Sequence, residues 1–167
     1  EPSCMVLRWV NIKCFFLDYL IMKICIPVNS GGHMTQALEL AKSLKGHDVF
    51  FVTFYHERLK NYKYKFYYIK DPGRNLLKLG GLFLKAVKIF LKEKPEAFIT
   101  TGANVSIPFF VLGKILGKRL VYIESVSRVK RPSLSGRILY RIADLFFVQW
   151  ESMKKSYPKA VYAGRLL

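Results

Sequence analysis

The sequence predicts one α/β domain built on a mostly parallel sheet. Three observations carry this reading. Short apolar runs rich in β-branched and aromatic residues recur along the chain, bounded by Gly, Pro, Asn or Ser. Between them lie segments with apolar residues at helical spacing. The two kinds alternate, and strands joined by helical crossovers run parallel. The 167 residues suffice for one core but not for two large ones, and a 51% hydrophobic composition excludes a disordered chain.

The elements follow in order. "ICIPV" (24–28) is a buried strand leading into the turn "NSGG". Ala37, Leu38, Leu40, Ala41 and Leu44 share one face of a helix from Met34 to Leu44, which Gly46 stops. "DVFFVTF" (48–54) is the second strand and completes a β-α-β unit, the opening of a doubly wound sheet. "NYKYKFYYIK" (61–70) alternates and reads as an edge strand whose lysines discourage pairing with another chain. After the turn "DPGRN" (71–75), "LLKLGGLFLKAVKIFLKEKP" (76–95) is a helix closed by Pro95. "AFITTG" (97–102) is a strand, "VSIPFFVLGKILG" (105–117) a helix and "RLVYIES" (119–125) a strand. "SLSGRILYRIADL" (133–145) is a helix with Ser133 as its N-cap, "FFVQW" (146–150) a strand and "AVYAG" (160–164) a last short strand.

Residues 1–21 stand apart. Arg8, Lys13 and Asp18 interrupt their apolar run, whereas a spanning helix needs about 20 mostly uncharged residues. No small-residue cleavage site follows, and Met22 before Lys23 resembles a translation start. The expectation is an N-terminal extension or membrane-proximal segment over 1–21, with a transmembrane anchor as the alternative, and a domain over 22–167. Cys4, Cys14 and Cys25 are odd in number and show no CxxC or Cys/His spacing. That argues against a disulfide framework and structural zinc, and fits a reducing compartment.

The net charge of +17 directs the chain toward anionic partners: phosphorylated substrates, anionic lipid or nucleic acid. Helix-turn-helix, zinc-finger and RNP-type motifs are lacking, so nucleic acid is the weakest of the three. The helix over 76–92 speaks for lipid. Lys78, Lys85, Lys88 and Lys92 fall within an arc of about 80° at 3.6 residues per turn. Most of the remaining circumference, including Leu82, Phe83 and Phe90, is apolar. A helix on a sheet buries a stripe of only about 100°. The excess predicts a second apolar contact, a bilayer interface flanked by lysines or a protein partner. The alternative is burial between the sheet and neighbouring helices.

In a parallel sheet, ligands bind beyond the carboxyl ends of the strands. Three predicted strand ends carry polar or glycine-rich sequence: "NSGGHMT", "TTGANVS" and "ESVSRVKRPS". The first is neither GxxxxGK[ST] nor a full GxGxxG. Ser30, Gly31, Gly32 and Thr35 leave a helix start open to close backbone approach, which suits a phosphate or pyrophosphate. His33 is placed for general-base or hydrogen-bonding work, or else for packing against the next loop. Gly102 permits a tight turn, and Asn104 and Ser106 offer hydrogen bonds or ordinary capping. Glu124 follows "LVYI" at a buried strand end, where a carboxylate needs water, a partner or a ligand. A sugar hydroxyl would serve, as would an ion pair with Arg128 or Lys130. Arg128 and Arg131 make a compact cationic patch suited to phosphate.

"SGGHMTQALELA", "ITTGANVSIPFFVLGKILGKRLVYIES", "RPSLSGRILYRIADLFFVQW" and "YPKAVYAGRLL" together resemble the asparagine-linked glycosylation 14 family and its prokaryotic polysaccharide-biosynthesis relatives. The likeness runs from about Met22 to Leu167. A more distant one is to the N-terminal half of MurG, the transferase that completes lipid II. The resemblance implies a Rossmann-like, N-terminal-type half of an inverting GT-B glycosyltransferase, inactive alone. A small separate subunit would bind the UDP-sugar. This chain would bind a polyprenyl-pyrophosphate-linked sugar and recruit its partner to the cytoplasmic face of a membrane. GlcNAc is the transferred sugar in the dolichol pathway and the first expectation here, with glucose, galactose or glucuronic acid as the alternatives that the bacterial relatives use. Gly31, Gly32 and His33 match the family's turn and would lie near phosphates, with His33 assisting deprotonation of the acceptor hydroxyl. Glu124 would hydrogen-bond the acceptor sugar, and Asn104 and Ser106 match the second loop. Arg128 and Arg131 would hold pyrophosphate. No metal or other cofactor is implied, and the sequence carries no DxD. A tether without catalytic residues is the alternative.

Overall fold

The computed structural model describes residues 21–70, 76–162 and 164–166, with the side chains of 76–79 outside that description. The expectations for residues 1–20, for the turn 71–75 and for the Lys78 side chain therefore lie outside the described residues, as do Cys4 and Cys14.

Seven parallel strands form one sheet: β1 (Lys23–Pro27), β2 (Asp48–Phe54), β3 (Lys65–Ile69), β4 (Ala97–Thr100), β5 (Arg119–Ile123), β6 (Leu145–Val148) and β7 (Val161–Tyr162). Their spatial order is β3-β2-β1-β4-β5-β6-β7. The chain first winds outward from β1 to β3 and then returns to β4 on the other side of β1. This reversal places a crevice beyond the ends of β1 and β4, the topological switch point of a doubly wound sheet.

Among the described residues, four α-helices cross between strands: α1 (Gly32–Ser43), α2 (Leu76–Glu93), α3 (Ser106–Ile115) and α4 (Leu134–Leu139). Two apolar cores result, one on each face. Alternation along β1 sends Ile24 and Ile26 to the α1 core and Cys25 to the other. Met34, Ala37, Leu38, Leu40, Ala41 and Leu44 of α1 and its C-terminal end fill the first core. Leu82, Ala86 and Ile89 of α2 and Phe109, Phe110 and Leu112 of α3 fill the second. Gly113 brings α3 close to the sheet, since a Cβ there would meet Leu120 at 2.7 Å and Phe98 at 2.8 Å. Cys25 is buried and free, and burial pushes its thiol pKa well up.

The expected edge strand is at the edge, and its lysine has a partner. Lys65 on β3 and Lys23 on β1 reach Glu93 at the end of α2 over 2.6 and 3.1 Å, and the Tyr67 hydroxyl also donates to it. The largest departure from the sequence reading is α4, expected over 133–145 and ending at Leu139. The chain leaves the helix early because Asp144 already belongs to the sheet. Its N–H donates to Leu120 O, and its carboxylate accepts the Leu120 N–H, both over 2.9 Å.

Candidate active-site crevice

The three polar strand ends converge at the switch point. In the first, Gly31 has φ 93° and ψ −145°, a backbone state open only to glycine, and it sets the direction of α1. Gly32 begins the helix, two residues earlier than the apolar spacing implied. A Cβ on either glycine would meet nothing within 4 Å, so the approach to this helix start is open. The first turn of α1 holds no acidic residue, leaving its N–H dipoles uncompensated. Thr35 spends its hydroxyl on the Gly31 carbonyl at 3.4 Å, and Ser30 is half-buried beside it.

His33 is half-buried and oriented. Its Nδ1 lies 2.8 Å from the carbonyl oxygen of Thr101. A carbonyl only accepts, so Nδ1 carries the proton and Nε2 of the neutral ring is left as an acceptor. The Thr101 hydroxyl returns a bond to the His33 carbonyl over 2.8 Å, and the Thr100 hydroxyl donates to Pro27 O over 2.7 Å. The tips of β1 and β4 are thus stitched together under the histidine. Gly102, at φ 100°, lies against the ring, and a Cβ there would meet His33 Cε1 and the Tyr122 hydroxyl, each at 3.2 Å. Asn104 is exposed at the rim. Ser106, expected to face a ligand, is fully buried and donates to Ala103 O over 2.6 Å, so it caps its own turn.

At the third strand end, Glu124 pairs with neither Arg128 nor Lys130 but turns into the protein. It is 1% exposed, and its carboxylate accepts from Ser125 N–H, Ser133 N–H, the Ser133 hydroxyl and the Tyr157 hydroxyl over 2.9–3.2 Å. Burial, reinforced by this carboxylate, pushes the Tyr122 and Tyr157 phenols well above the usual tyrosine range, so both remain protonated donors. Above this knot the loop is pinned through its backbone. Trp150 Nε1–H donates to Val126 O over 2.6 Å and the Ser152 hydroxyl donates to Val129 O over 2.5 Å. The side chains of Arg128, Lys130 and Arg131 are exposed.

Two glutamines missing from the sequence reading bind these parts together. Gln36 on α1 is buried, and its Oε1 accepts from Val126 N–H and from Gln149 Nε2. Gln149 also donates to Glu124 O and accepts from Leu166 N–H, which ties in the C-terminal residues. A polar residue within the apolar face of α1, and another directly after "FFV", were the available signals.

A second surface lies on α2 and α3. Leu82, expected at an interface, is 4% exposed and belongs to the core. Phe83 and Phe90 are half-buried. Leu84 and Leu91, on the far side of α2, are each 65% exposed and border Lys85, Lys88 and Lys92. Ile115 at the end of the adjoining α3 and Leu116 just after it are also exposed. Among the described residues no helix is long and apolar enough to cross a membrane.

The family model described as oligosaccharide biosynthesis protein Alg14 like matches residues 76–166, more than half of the chain. The chain belongs to this Alg14-like family. The match takes in the second and third strand ends, while the Gly31–Gly32–His33 turn precedes it. The mouse UDP-N-acetylglucosamine transferase subunit ALG14 is 40% identical over 85 residues, 47% of this chain and 39% of that protein. The Candida albicans subunit of the same name is 37% identical over 91 residues, 51% of this chain and 42% of that protein. This Alg14-like chain thus spans about two fifths of the length of the curated relatives it matches. Among solved structures, Acinetobacter baumannii MurG superposes with a TM-score of 0.65 at 19% identity, covering 76% of this chain and 41% of that one. A Rickettsia africae glycosyltransferase gives a TM-score of 0.66 at 15% identity, with coverages of 85% and 40%. These likenesses show the fold alone: a Rossmann-like α/β sheet of the GT-B glycosyltransferase type, matching about two fifths of each of those longer chains.

Proposed function

We propose that this chain is the acceptor-binding, membrane-recruiting subunit of a two-chain glycosyltransferase. The reaction moves N-acetylglucosamine from a UDP-sugar to a polyprenyl-pyrophosphate-linked sugar at the cytoplasmic face of a membrane. The observation that carries this reading is the oriented His33 at the switch point, between an open helix start and an exposed cationic loop, in a chain of the Alg14-like family.

In this reading the acceptor pyrophosphate lies against the N–H groups at Gly31–Gly32, held also by Arg128 and Arg131. Asn104 hydrogen-bonds the acceptor at the rim. His33 Nε2 takes the proton of the acceptor hydroxyl as its oxygen bonds to the anomeric carbon and UDP leaves, a single inverting displacement. The partner subunit holds the UDP-sugar, so the lone chain is inactive. Leu84 and Leu91 enter the bilayer interface while Lys85, Lys88 and Lys92 meet anionic headgroups.

The test is transfer of radiolabelled GlcNAc to a prenyl-pyrophosphate-linked GlcNAc by the chain alone and by the chain with its partner. Turnover only in the complex is expected, and full turnover by the lone chain overturns the split-enzyme reading. The rival reading, a tether without catalytic residues, predicts that the complex keeps full turnover after His33→Ala.

A further inference from the structure

We infer that Glu124 is a positioning residue: through Ser133, Tyr122 and Ser135 it holds the strained Gly102–Ala103 turn beneath His33, and it does so without touching the acceptor. The inference rests on the transferase reading for its kinetic consequences, but the network itself is a property of the fold.

The turn needs holding. Gly102 and Ala103 have φ of 100° and 121°, and the second of these is a left-handed state that an alanine resists. Three sets of hydrogen bonds keep it there. The Gly102 N–H donates to the Thr100 hydroxyl oxygen over 3.3 Å. Ser106 bonds to the Ala103 carbonyl through its N–H and its hydroxyl over 3.2 and 2.6 Å. The Ala103 N–H donates to Ser135 Oγ over 3.4 Å.

From Ser135 the bonds run one way. The Ser133 hydroxyl gives its single proton to Glu124, so its oxygen must accept from Gly136 N–H at 2.9 Å and from the Tyr122 hydroxyl at 3.1 Å. With that proton committed, the Tyr122 oxygen accepts from Ser135 at 3.2 Å, and Ser135 in turn accepts from Ala103. Every donor from the turn inward points toward the Glu124 carboxylate, which can only accept. An amide at 124 would face four donors with one acceptor oxygen and a donor of its own. The space admits no detour, because a Cβ on Gly136 would overlap the Glu124 carboxylate, the Tyr157 hydroxyl and Ser133 Oγ. The other end of the chain of bonds abuts the site, where the Tyr122 hydroxyl and the His33 ring both touch the Gly102 position.

Glu124→Gln, Glu124→Ala, Tyr122→Phe and Ser135→Ala in the assembled complex test this. Glu124→Gln lowers kcat by roughly 100-fold, as expected of a misplaced reactive group, with little change in acceptor KM. Tyr122→Phe and Ser135→Ala each reproduce part of that loss. A Glu124→Gln/Tyr122→Phe cycle shows coupling on the order of tenfold. Direct contact with the sugar predicts instead a raised acceptor KM, a silent Tyr122→Phe and an additive cycle, and that result overturns the inference. Amide exchange at Ala103 in the full chain gives a readout free of activity. It accelerates by about tenfold or more in Tyr122→Phe and Ser135→Ala if the network holds the turn, and unchanged protection rejects it. If the wild-type complex transfers no sugar, the transferase reading fails while the exchange experiment still decides this one.

Discussion

His33 and Thr101 hold one another: the imidazole Nδ1–H donates to the Thr101 carbonyl over 2.8 Å, and the Thr101 hydroxyl donates to the His33 carbonyl over the same distance. The pair crosses the gap between the β1 and β4 loops, so ring orientation and loop spacing are set together. His33→Ala is expected to lower kcat of the assembled complex by about 10²–10⁴-fold. Thr101→Val keeps the carbonyl and loses only the return bond, so a smaller loss is expected. Single-turnover rates of both variants check this.

Gly32 and Gly102 separate binding from stability. Gly32 has an ordinary helical backbone and open space, so Gly32→Ala leaves stability unchanged or slightly raised. Under the proposed function it places a methyl in the path of the acceptor pyrophosphate, and acceptor KM is expected to rise. Gly102→Ala meets both a positive φ and the His33 and Tyr122 contacts. It costs about 1–2 kcal/mol of stability. Urea midpoints compared with KM values distinguish the two effects.

Glu93 links stability to acid. Burial alone raises its carboxyl pKa, but the hydrogen bonds from Lys65, Tyr67 and Lys23 prevail and hold it at about 2, against an ordinary value of 4.5. A carboxylate depressed on folding stabilises fully above its unfolded pKa and loses that contribution as pH falls through the folded one. The window is therefore pH 4.5 down to about 2, with a loss on the order of 3 kcal/mol. Glu93→Gln should destabilise the protein by about 2 kcal/mol at pH 7 and flatten the dependence across that window. Denaturation midpoints of both proteins at pH 3 and pH 7 test it.

The α2 surface offers a vesicle assay. Lys85, Lys88 and Lys92 changed together to Glu should abolish binding to phosphatidylserine vesicles, and Leu84→Ser/Leu91→Ser should weaken binding to neutral ones as well. None of these side chains is buried, so the folded state survives. Unchanged sedimentation with vesicles would remove the membrane role from this helix.

Much of the fold was legible in the local pattern. The strand over 48–54 appears with the expected bounds, because its run of Val, Phe and Thr, opened by Asp48, is rich in β-forming residues and too short and unpatterned for a helix. The stripe on α1 was legible for the same reason, and so were the three polar strand ends. Periodicity alone carries the helix from 133 on to 145, because it cannot register that Asp144 is claimed by β5. A helical wheel leaves Leu82 on a surface, because it shows excess apolar circumference but not which part of it meets the sheet.

The sequence by itself determined the alternation of strands and helices, the places where glycine interrupts them and the chemical types gathered at the strand ends, since each depends on residues within a few positions of one another. The tertiary structure alone decided what those residues do. Whether Glu124 meets a ligand or Tyr157, 33 residues away, and whether Gln36 finds Gln149 across 113 residues, depends on which strands become neighbours. A buried polar group takes the partners that the packed chain brings to it, and those partners are distant in sequence.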